Sequence, residues 1–172
     1  MGDRIITART RGNSVHLLNC LGSLFVSELL SPGPELYLIS PWLSNVTLIN
    51  NRFAQYSVLC RELDEKLLNL ADILLLLSQK GTSVRIIARP NHGPTRDFLG
   101  DLSRGKNIAW RFNEKEHEKG LISTRFCLSG SMNFTYSGVN INKERVELSK
   151  NPEKVFSVLQ EARLSWEEAK NA

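Results

Sequence analysis

The sequence predicts an α/β protein in which helices flank both faces of a mixed, mostly parallel β-sheet. Two observations lead to this prediction. Short apolar runs, typical of strands buried on both faces, alternate with longer segments whose apolar residues recur at helical spacing. The chain has 172 residues, of which 41% are hydrophobic, and this suits one domain with a core of ordinary size. We therefore expect a single domain over residues 1–172, with its core at about residues 14–168.

The first half of the chain alternates helices and strands. Apolar residues at helical spacing predict a first helix that begins at Asn13 or Ser14 and ends at Leu30, before a Pro-Gly-Pro sequence. A nearly continuous apolar run predicts a buried strand over Glu35–Ser40. A long helix, a strand, a short helix and another strand are expected at Arg61–Gln79, Val84–Ala88, Thr95–Ser103 and Asn107–Phe112.

The second half is expected to contain strands joined by turns. The predicted strands are Gly120–Ser123, Arg125–Leu128 and Arg145–Ser149. Pro152 then opens a final helix that runs through Ala169, since proline is favoured in the first helical turn. There is no internal repeat and no linker, so one domain remains the expectation.

The charge and the lengths of the apolar runs indicate which kinds of partner the protein binds. Lys and Arg total 22 against 18 Asp and Glu, which gives a net charge of +4 and favours an anionic partner such as nucleic acid. The longest apolar run, Ile73–Leu77, is far shorter than the ~20 residues of a membrane-spanning helix. The first residues lack the features of a secretory signal. We expect a cytoplasmic protein that does not associate with membranes.

The residues most suggestive of chemistry lie in two short segments. If His117 and Lys119 lie in a strand, their side chains share a face, which places an imidazole beside an ammonium group. Gly130 would let the backbone approach an anion closely. Ser131 and Asn133 add hydroxyl and amide donors that suit phosphate oxygens. Four donors are then expected to converge on one phosphate.

This pattern resembles the phospholipase D superfamily, whose signature is H-x-K followed by G-S-x-N. In the nuclease branch of that superfamily a Glu follows eleven residues after the Asn, and here Glu144 lies eleven residues after Asn133. The upstream order also matches: a strand ending at Ser40 and Pro41, a long helix, and a strand before the His segment. The resemblance covers about residues 14–168.

The chain departs from the family pattern in two places. Thr124 stands where the family usually has an Asp five residues after the Lys, and the interval from His117 to Gly130 is one residue shorter. The resemblance implies that this Asp supports the chemistry without performing it. Thr124 replaces only part of its hydrogen bonding, and we expect Glu144 to provide the negative partner that orients His117.

The resemblance implies two-step phosphodiester cleavage without a metal ion or other cofactor. A neutral His attacks phosphorus, a second, protonated His donates to the leaving oxygen, and water then releases the phosphohistidine. The implied catalytic residues are His117, Lys119, Asn133 and Glu144, and the implied phosphate-binding residues are Gly130, Ser131, Lys119 and Asn133. The chain has one H-x-K element. Because the small nucleases of the superfamily pair two identical chains, we expect a homodimer with a shared site.

Other residues are assigned less directly. Asn91 and His92 belong to a Pro- and Gly-rich turn after a predicted strand, and with Arg89 they are candidates for substrate contacts; an ordinary exposed turn is the alternative. Trp42 is expected in the core. Tyr136 and Phe134 are expected to line either the cleft or the dimer interface.

The expected function is that of a metal-independent DNA endonuclease, acting on DNA rather than RNA. Bacterial DNA modification, restriction or phage-defence assemblies are an expected setting for such a single-motif domain. Two alternatives stay open at this point. One is a catalytically degenerate subunit that binds DNA or phosphate within such an assembly, and the other is a phospholipid hydrolase.

Overall fold

The computed structural model describes residues 3–8, 14–53, 56 and 67–171. The strands are β1 (Arg4–Ala8), β2 (Glu35–Ile39), β3 (Thr47–Asn50), β4 (Leu67–Asn69), β5 (Ser83–Ala88), β6 (Ile108–Phe112), β7 (Gly120–Ser123), β8 (Cys127–Gly130), β9 (Glu144–Ser149) and β10 (Lys170–Asn171). The helices are α1 (Ser14–Leu30), α2 (Leu70–Gln79), α3 (Gly93–Asp101), α4 (Tyr136–Asn140) and α5 (Pro152–Glu168).

Eight strands form the main sheet, in the order β1-β9-β8-β7-β2-β5-β6-β10. The predicted α/β architecture, a mixed sheet with helices on both faces, is confirmed. The balance of pairings differs from the expectation, because parallel pairing within the described sheet is confined to β2, β5 and β6. The remaining neighbours are antiparallel. Between β7 and β8 the connection is only residues 124–126, and so short a connection allows only antiparallel pairing.

The predicted helix over Arg61–Gln79 is shorter than expected. Residues 61–66 lie outside the described residues, and Leu67–Asn69 forms β4, which pairs with β3. The helix α2 begins only at Leu70. The Asn69 amide donates to the Asp72 carboxylate at 3.0 Å, and this cap fixes the helix start.

Two apolar clusters cover the faces of the sheet. The larger one packs α1, α2 and α3 against one face, and Phe25, Leu74 and Phe98 are among its fully buried members. The smaller one packs α5 against the other face through Val155, Leu159 and Trp166. Since both faces are covered, the sheet itself is open to solvent mainly at its two ends.

The strand register gathers several loops at one end of the sheet. We call this the site end: β2, β5, β6 and β8 finish there, and β7 and β9 begin there. Ile39 pairs with Gly120, and Gly120 pairs with Ser129, so the segment before β7 lies between the loops that follow β2 and β8. The other end of the sheet, where β7 turns into β8, is called the opposite end.

Candidate functional site

His117 and Lys119 lie at the site end, in an irregular segment that directly precedes β7. The expectation that they lie within a strand is therefore wrong. The cause is Glu116, whose buried carboxylate accepts hydrogen bonds from the Glu118 amide at 2.8 Å and from the Asn113 side chain at 3.3 Å. These contacts hold the segment as a turn. Lys119 Nζ nevertheless donates to the His117 carbonyl oxygen at 2.5 Å, so the two residues remain in contact.

The His117 imidazole is exposed and faces Arg89, which directly follows β5. Arg89 Nη2 lies 2.9 Å from His117 Nε2, and Arg89 Nε donates to the Glu116 carbonyl oxygen at 2.8 Å. Because a guanidinium group only donates hydrogen bonds, Nε2 must accept this one. In this hydrogen bond the Nε2 lone pair points toward Arg89, which leaves Nδ1 as the ring nitrogen that carries a proton.

Glu144 is the first residue of β9, and its side chain is buried. It accepts a short hydrogen bond from the Ser131 hydroxyl, and that hydroxyl accepts one from the Arg145 amide at 3.0 Å. The described contacts thus pair Glu144 with Ser131, whereas we expected it to orient His117. The reason is the β8–β9 register, which places Ser131 directly against the start of β9: the Ser131 amide donates to the Arg145 carbonyl oxygen at 3.0 Å.

Gly130 is required at its position by the backbone of β9. Its φ angle is +157°, and a Cβ there would lie 2.2 Å from the Arg145 carbonyl oxygen and 2.8 Å from Val146 Cα. We expected this glycine to let the backbone approach a bound anion. The structure instead makes it the close contact between β8 and β9, which carries Ser131 to Glu144.

Asn133 is held at the site end by the loop after β2. Ser40 Oγ lies 3.4 Å from Asn133 Oδ1 and 2.8 Å from the Trp42 carbonyl oxygen, and it accepts a hydrogen bond from the Phe134 amide at 3.3 Å. The aromatic ring of Phe134 is buried in the main core, with 1% of the residue exposed, so the expected place at the cleft or dimer interface is wrong for this residue. Tyr136, two residues later, is 63% exposed.

The loop after β5 brings Asn91 and His92 to the same end. His92 Nδ1 lies 2.8 Å from Thr95 Oγ1, and that hydroxyl accepts a hydrogen bond from the Leu43 amide at 3.0 Å. His92 therefore ties the start of α3 to the loop after β2. Asn91 lines an open cavity of about 350 Å³ together with Trp42, Arg89, Pro90 and Glu114. The expectation that Trp42 lies in the core is wrong, since 44% of it is exposed.

Thr124 lies at the opposite end of the sheet, in the turn between β7 and β8. It packs near Gly33, where a Cβ would lie 3.2 Å from Thr124 Oγ1. Five residues of extended chain separate it from Lys119, a distance of about 16 Å. Thr124 is thus outside the candidate site, and the expectation that it takes over part of the hydrogen bonding there is wrong.

Glu118, which lies between His117 and Lys119, has a raised pKa. Partial burial is the main cause, and the carboxylates of Glu116 and Glu161 raise it further.

Among the residues that the structure describes, no group of three or more His, Cys, Asp or Glu side chains is placed to hold a metal ion. Within the same residues, no helix is long and apolar enough to cross a membrane.

Comparison with known proteins places the chain in a family. A family model described as "Cardiolipin synthase, PLD-like domain" matches residues 49–166, which is more than half of the chain. The chain belongs to the phospholipase D superfamily. A relative from Chlamydomonas reinhardtii, named mitochondrial cardiolipin hydrolase, is 30% identical over 103 residues; this match covers 58% of the present chain and 46% of the relative, so the two share less than half of the relative's length.

Two solved structures share the fold of this PLD-like domain over nearly all of their length. The phospholipase D family member Nuc from Salmonella typhimurium superposes with a TM-score of 0.68 at 14% identity, covering 99% of the present chain and 97% of Nuc. NucT from Helicobacter pylori superposes with a TM-score of 0.67 at 14% identity, covering 99% of each chain. At this level of identity the likeness establishes the fold, while the family model confirms the predicted superfamily.

Proposed function

We propose that this PLD-like domain is a metal-independent phosphodiesterase that cleaves DNA as an endonuclease, with His117 as the nucleophile. The observation that supports this most directly is the exposed His117 imidazole, whose Nε2 lies 2.9 Å from Arg89 Nη2 at the site end. Lys119, Ser131 and Asn133 stand at the same end of the sheet. The site thus combines an imidazole nucleophile with the Lys119 ammonium and the Asn133 amide as hydrogen-bond donors for phosphate oxygens.

In the proposed first step, the Nε2 lone pair of His117 attacks phosphorus while the bond from phosphorus to the leaving oxygen breaks. A proton from the protonated His117 of the partner subunit goes to that oxygen. In the second step, water attacks phosphorus, the P–N bond breaks, and His117 of the partner subunit takes the water proton. Each His ends in the state in which it began, so no cofactor is required.

Arg89 has a defined task in this scheme. As found, its guanidinium occupies the Nε2 lone pair of His117, and that lone pair must be released before attack. A phosphate diester is a better partner for a guanidinium than a neutral imidazole, because the hydrogen bond is then assisted by charge. Binding of substrate therefore draws Arg89 onto a phosphate oxygen and frees His117 at the same time.

Two observations support a site shared by two chains. The sequence has one H-x-K element, whereas the proposed chemistry needs two histidines in different protonation states. In addition, Tyr136 and Ile141, at the two ends of α4, are 63% and 56% exposed beside the loop that carries Ser131 and Asn133. Exposed apolar side chains next to a site are typical of a contact with another chain. A homodimer about a two-fold axis would bring the two His117 residues together.

The choice of DNA rests on charge and on the motif. The chain has a net charge of +4, and the spacing of Glu144 after Asn133 matches the nuclease branch. A cytoplasmic location and a place within a DNA modification, restriction or phage-defence assembly remain predictions. The name of the Chlamydomonas relative favours a second candidate, hydrolysis of a phospholipid such as cardiolipin.

A cleavage assay in EDTA separates these candidates. The purified protein is incubated with end-labelled single- and double-stranded DNA and, separately, with cardiolipin vesicles. We expect DNA cleavage by the wild type and a loss of at least about a thousandfold in His117→Ala. The exposed His16 on α1 gives a matched control, because His16→Ala should cleave like the wild type.

Each other outcome identifies an alternative. DNA that is bound but not cut indicates the degenerate binding subunit. Release of phosphatidic acid from the vesicles, without DNA cleavage, indicates the phospholipid hydrolase. Cleavage that persists in His117→Ala contradicts the proposed nucleophile.

A further inference from the structure

The polar cavity after β5 begins next to the proposed nucleophile. Its volume is about 350 Å³, in the range of ~300–1,000 Å³ typical of ligand clefts. Arg89 both lines this cavity and donates to His117 at 2.9 Å, so one guanidinium group separates the cavity from the imidazole. A phosphate held at His117 would therefore place its attached nucleoside at the mouth of the cavity.

The wall formed by Trp42 is an aromatic surface that is both exposed and fixed. Trp42 is 44% exposed, and its ring centroid lies 6.0 Å from that of His92. Its backbone is held at the carbonyl oxygen by the Ser40 hydroxyl at 2.8 Å. Such a preordered ring binds a flat aromatic partner at little conformational cost, as in the stacking of bases on single-strand binding proteins.

The cavity lining carries one positive and one negative side chain. Arg89, on the His117 side, is suited to a phosphate, whereas Glu114 adds a carboxylate to the lining. A carboxylate repels a second phosphate but accepts hydrogen bonds from the exocyclic amino group of a base such as cytosine. Asn91 contributes an amide that both donates and accepts. This polar lining does not suit an acyl chain.

The geometry points to a nucleobase subsite: the cavity binds one unpaired base of single-stranded DNA, stacked on Trp42, next to the scissile phosphate. Glu114 favours bases that carry an amino group. This inference rests on the proposed function and specifies its substrate, since a base within an intact duplex cannot enter the cavity without leaving the stack.

Binding measurements test the subsite without any need for cleavage. The protein carries His117→Ala throughout, and the probes are fluorescein-labelled twelve-residue oligonucleotides of dC, of dT and of abasic residues, at one fixed salt concentration. Adding Trp42→Ala should weaken binding of oligo-dC by about 5- to 100-fold, the usual effect of removing a base-stacking aromatic side chain. Binding of the abasic strand should change by less than about twofold, because only the phosphate contacts remain.

Two further variants sharpen this test. Trp42→Phe keeps an aromatic face and should retain most of the affinity. Phe156→Ala removes an aromatic side chain that is 64% exposed on α5, away from the cavity, and should have no effect. Glu114→Ala should reduce the preference for oligo-dC over oligo-dT while leaving oligo-dT affinity nearly unchanged.

The inference is overturned if Trp42→Ala leaves oligo-dC binding intact, or weakens base-bearing and abasic strands equally. It is also overturned if Trp42 is needed only for binding to cardiolipin vesicles. The outcome is separate from that of the proposed function. DNA cleavage by the wild type without base-dependent binding would reject the subsite alone, and base-dependent binding without cleavage would reject the nuclease alone.

Discussion

The two ends of the sheet place their charged groups in different surroundings. At the opposite end, Glu28 is 1% exposed and its carboxylate accepts from Arg125 Nη2 at 2.8 Å, from Arg125 Nε at 3.2 Å and from the Gly33 amide at 3.3 Å. At the site end, His117 is exposed, and Arg89 donates a hydrogen bond to its Nε2, the atom that attacks phosphorus in the proposed mechanism. The Glu28 carboxylate is thus enclosed in the fold at the opposite end, whereas at the site end the exposed His117 is the group that we propose acts on a ligand.

This contrast bears on the family Asp that the chain lacks. The strand β7 links the two ends, with Lys119 before it and Thr124 after it. The position of the family Asp therefore belongs to the end where the Glu28–Arg125 ion pair already lies. The replacement of this Asp by Thr124 therefore gives no support to the degenerate-subunit alternative, and it does not establish activity either.

The largest expected effect concerns the site end. Lys119→Ala should lower the rate of DNA cleavage by about 10²- to 10³-fold, because it removes the ammonium group that we propose stabilises the charge developing on phosphate. Stability should change by less than about 0.5 kcal/mol, since the ammonium is partly exposed and lies outside the core. Single-turnover cleavage and urea unfolding measure the two quantities. A loss of stability in proportion to the loss of rate would contradict the division between the two ends.

The opposite end should show the reverse behaviour. Arg125→Ala leaves the buried carboxylate of Glu28 without its partner, and we expect a loss of about 3 kcal/mol in the free energy of unfolding. The cleavage rate per folded molecule should stay within about twofold of the wild type. Arg125→Lys, which keeps the charge but not the two-pronged geometry, should lose less stability than Arg125→Ala. A cleavage defect as large as that of Lys119→Ala would show that the two ends are not independent.

A smaller effect is expected on the pH dependence of stability, through Glu118. Its pKa is raised mainly by burial and then by Glu116 and Glu161. The folded protein therefore binds this proton more tightly than the unfolded chain, so stability falls as the pH rises from the unfolded to the folded pKa, and the penalty persists above it. Glu118→Gln should stabilise the protein at pH 7 by less than about 1 kcal/mol, given solvent screening, and have no such benefit at pH 3. Equal effects at both pH values would contradict this assignment.

The smallest effect is expected from Thr124→Asp, which restores the Asp of the family pattern. Thr124→Asp should not increase cleavage by more than about twofold, since the residue lies about 16 Å of extended chain from Lys119. It should lower stability by about 0.5 kcal/mol, because both Thr124 and the Glu28 carboxylate pack near Gly33 and two carboxylates would face one another. Thr124→Asn, of similar size without the charge, is the matched control. A tenfold gain in cleavage would contradict the account.

Local signals in the sequence predicted most of the sheet. The strands β2, β5 and β7 are nearly continuous apolar runs between turn residues, and such runs can be recognised without knowledge of the fold. The strands β1 and β3 were not predicted. β1 is only partly buried and β3 has exposed ends, so neither shows a clear pattern. The short strand β4 depends on pairing with β3, which local propensity does not encode.

The site was predictable as a set of residues but not as a set of contacts. Motif spacing alone selected His117, Asn133 and Glu144, and the structure brings their segments to one end of the sheet. The hydrogen-bond partner of each side chain depends on how strands distant in the sequence pair in the sheet. The strand order β7-β2-β5 brings Arg89 within hydrogen-bond distance of His117, and the β8–β9 pairing lets Ser131 donate to Glu144. Sequence spacing carries no information about either pairing.

A purified heterodimer tests most directly the central claim that one nuclease site is built from two His117 residues. Wild-type and His117→Ala chains carrying different affinity tags are co-expressed, and the mixed dimer is isolated and assayed on single-stranded DNA in EDTA. A doubly tagged wild-type dimer serves as the reference. We predict that the mixed dimer cleaves at least about a hundredfold more slowly than the reference, because one histidine cannot act as both nucleophile and acid. Cleavage at half the reference rate would contradict the claim and assign a complete site to each chain.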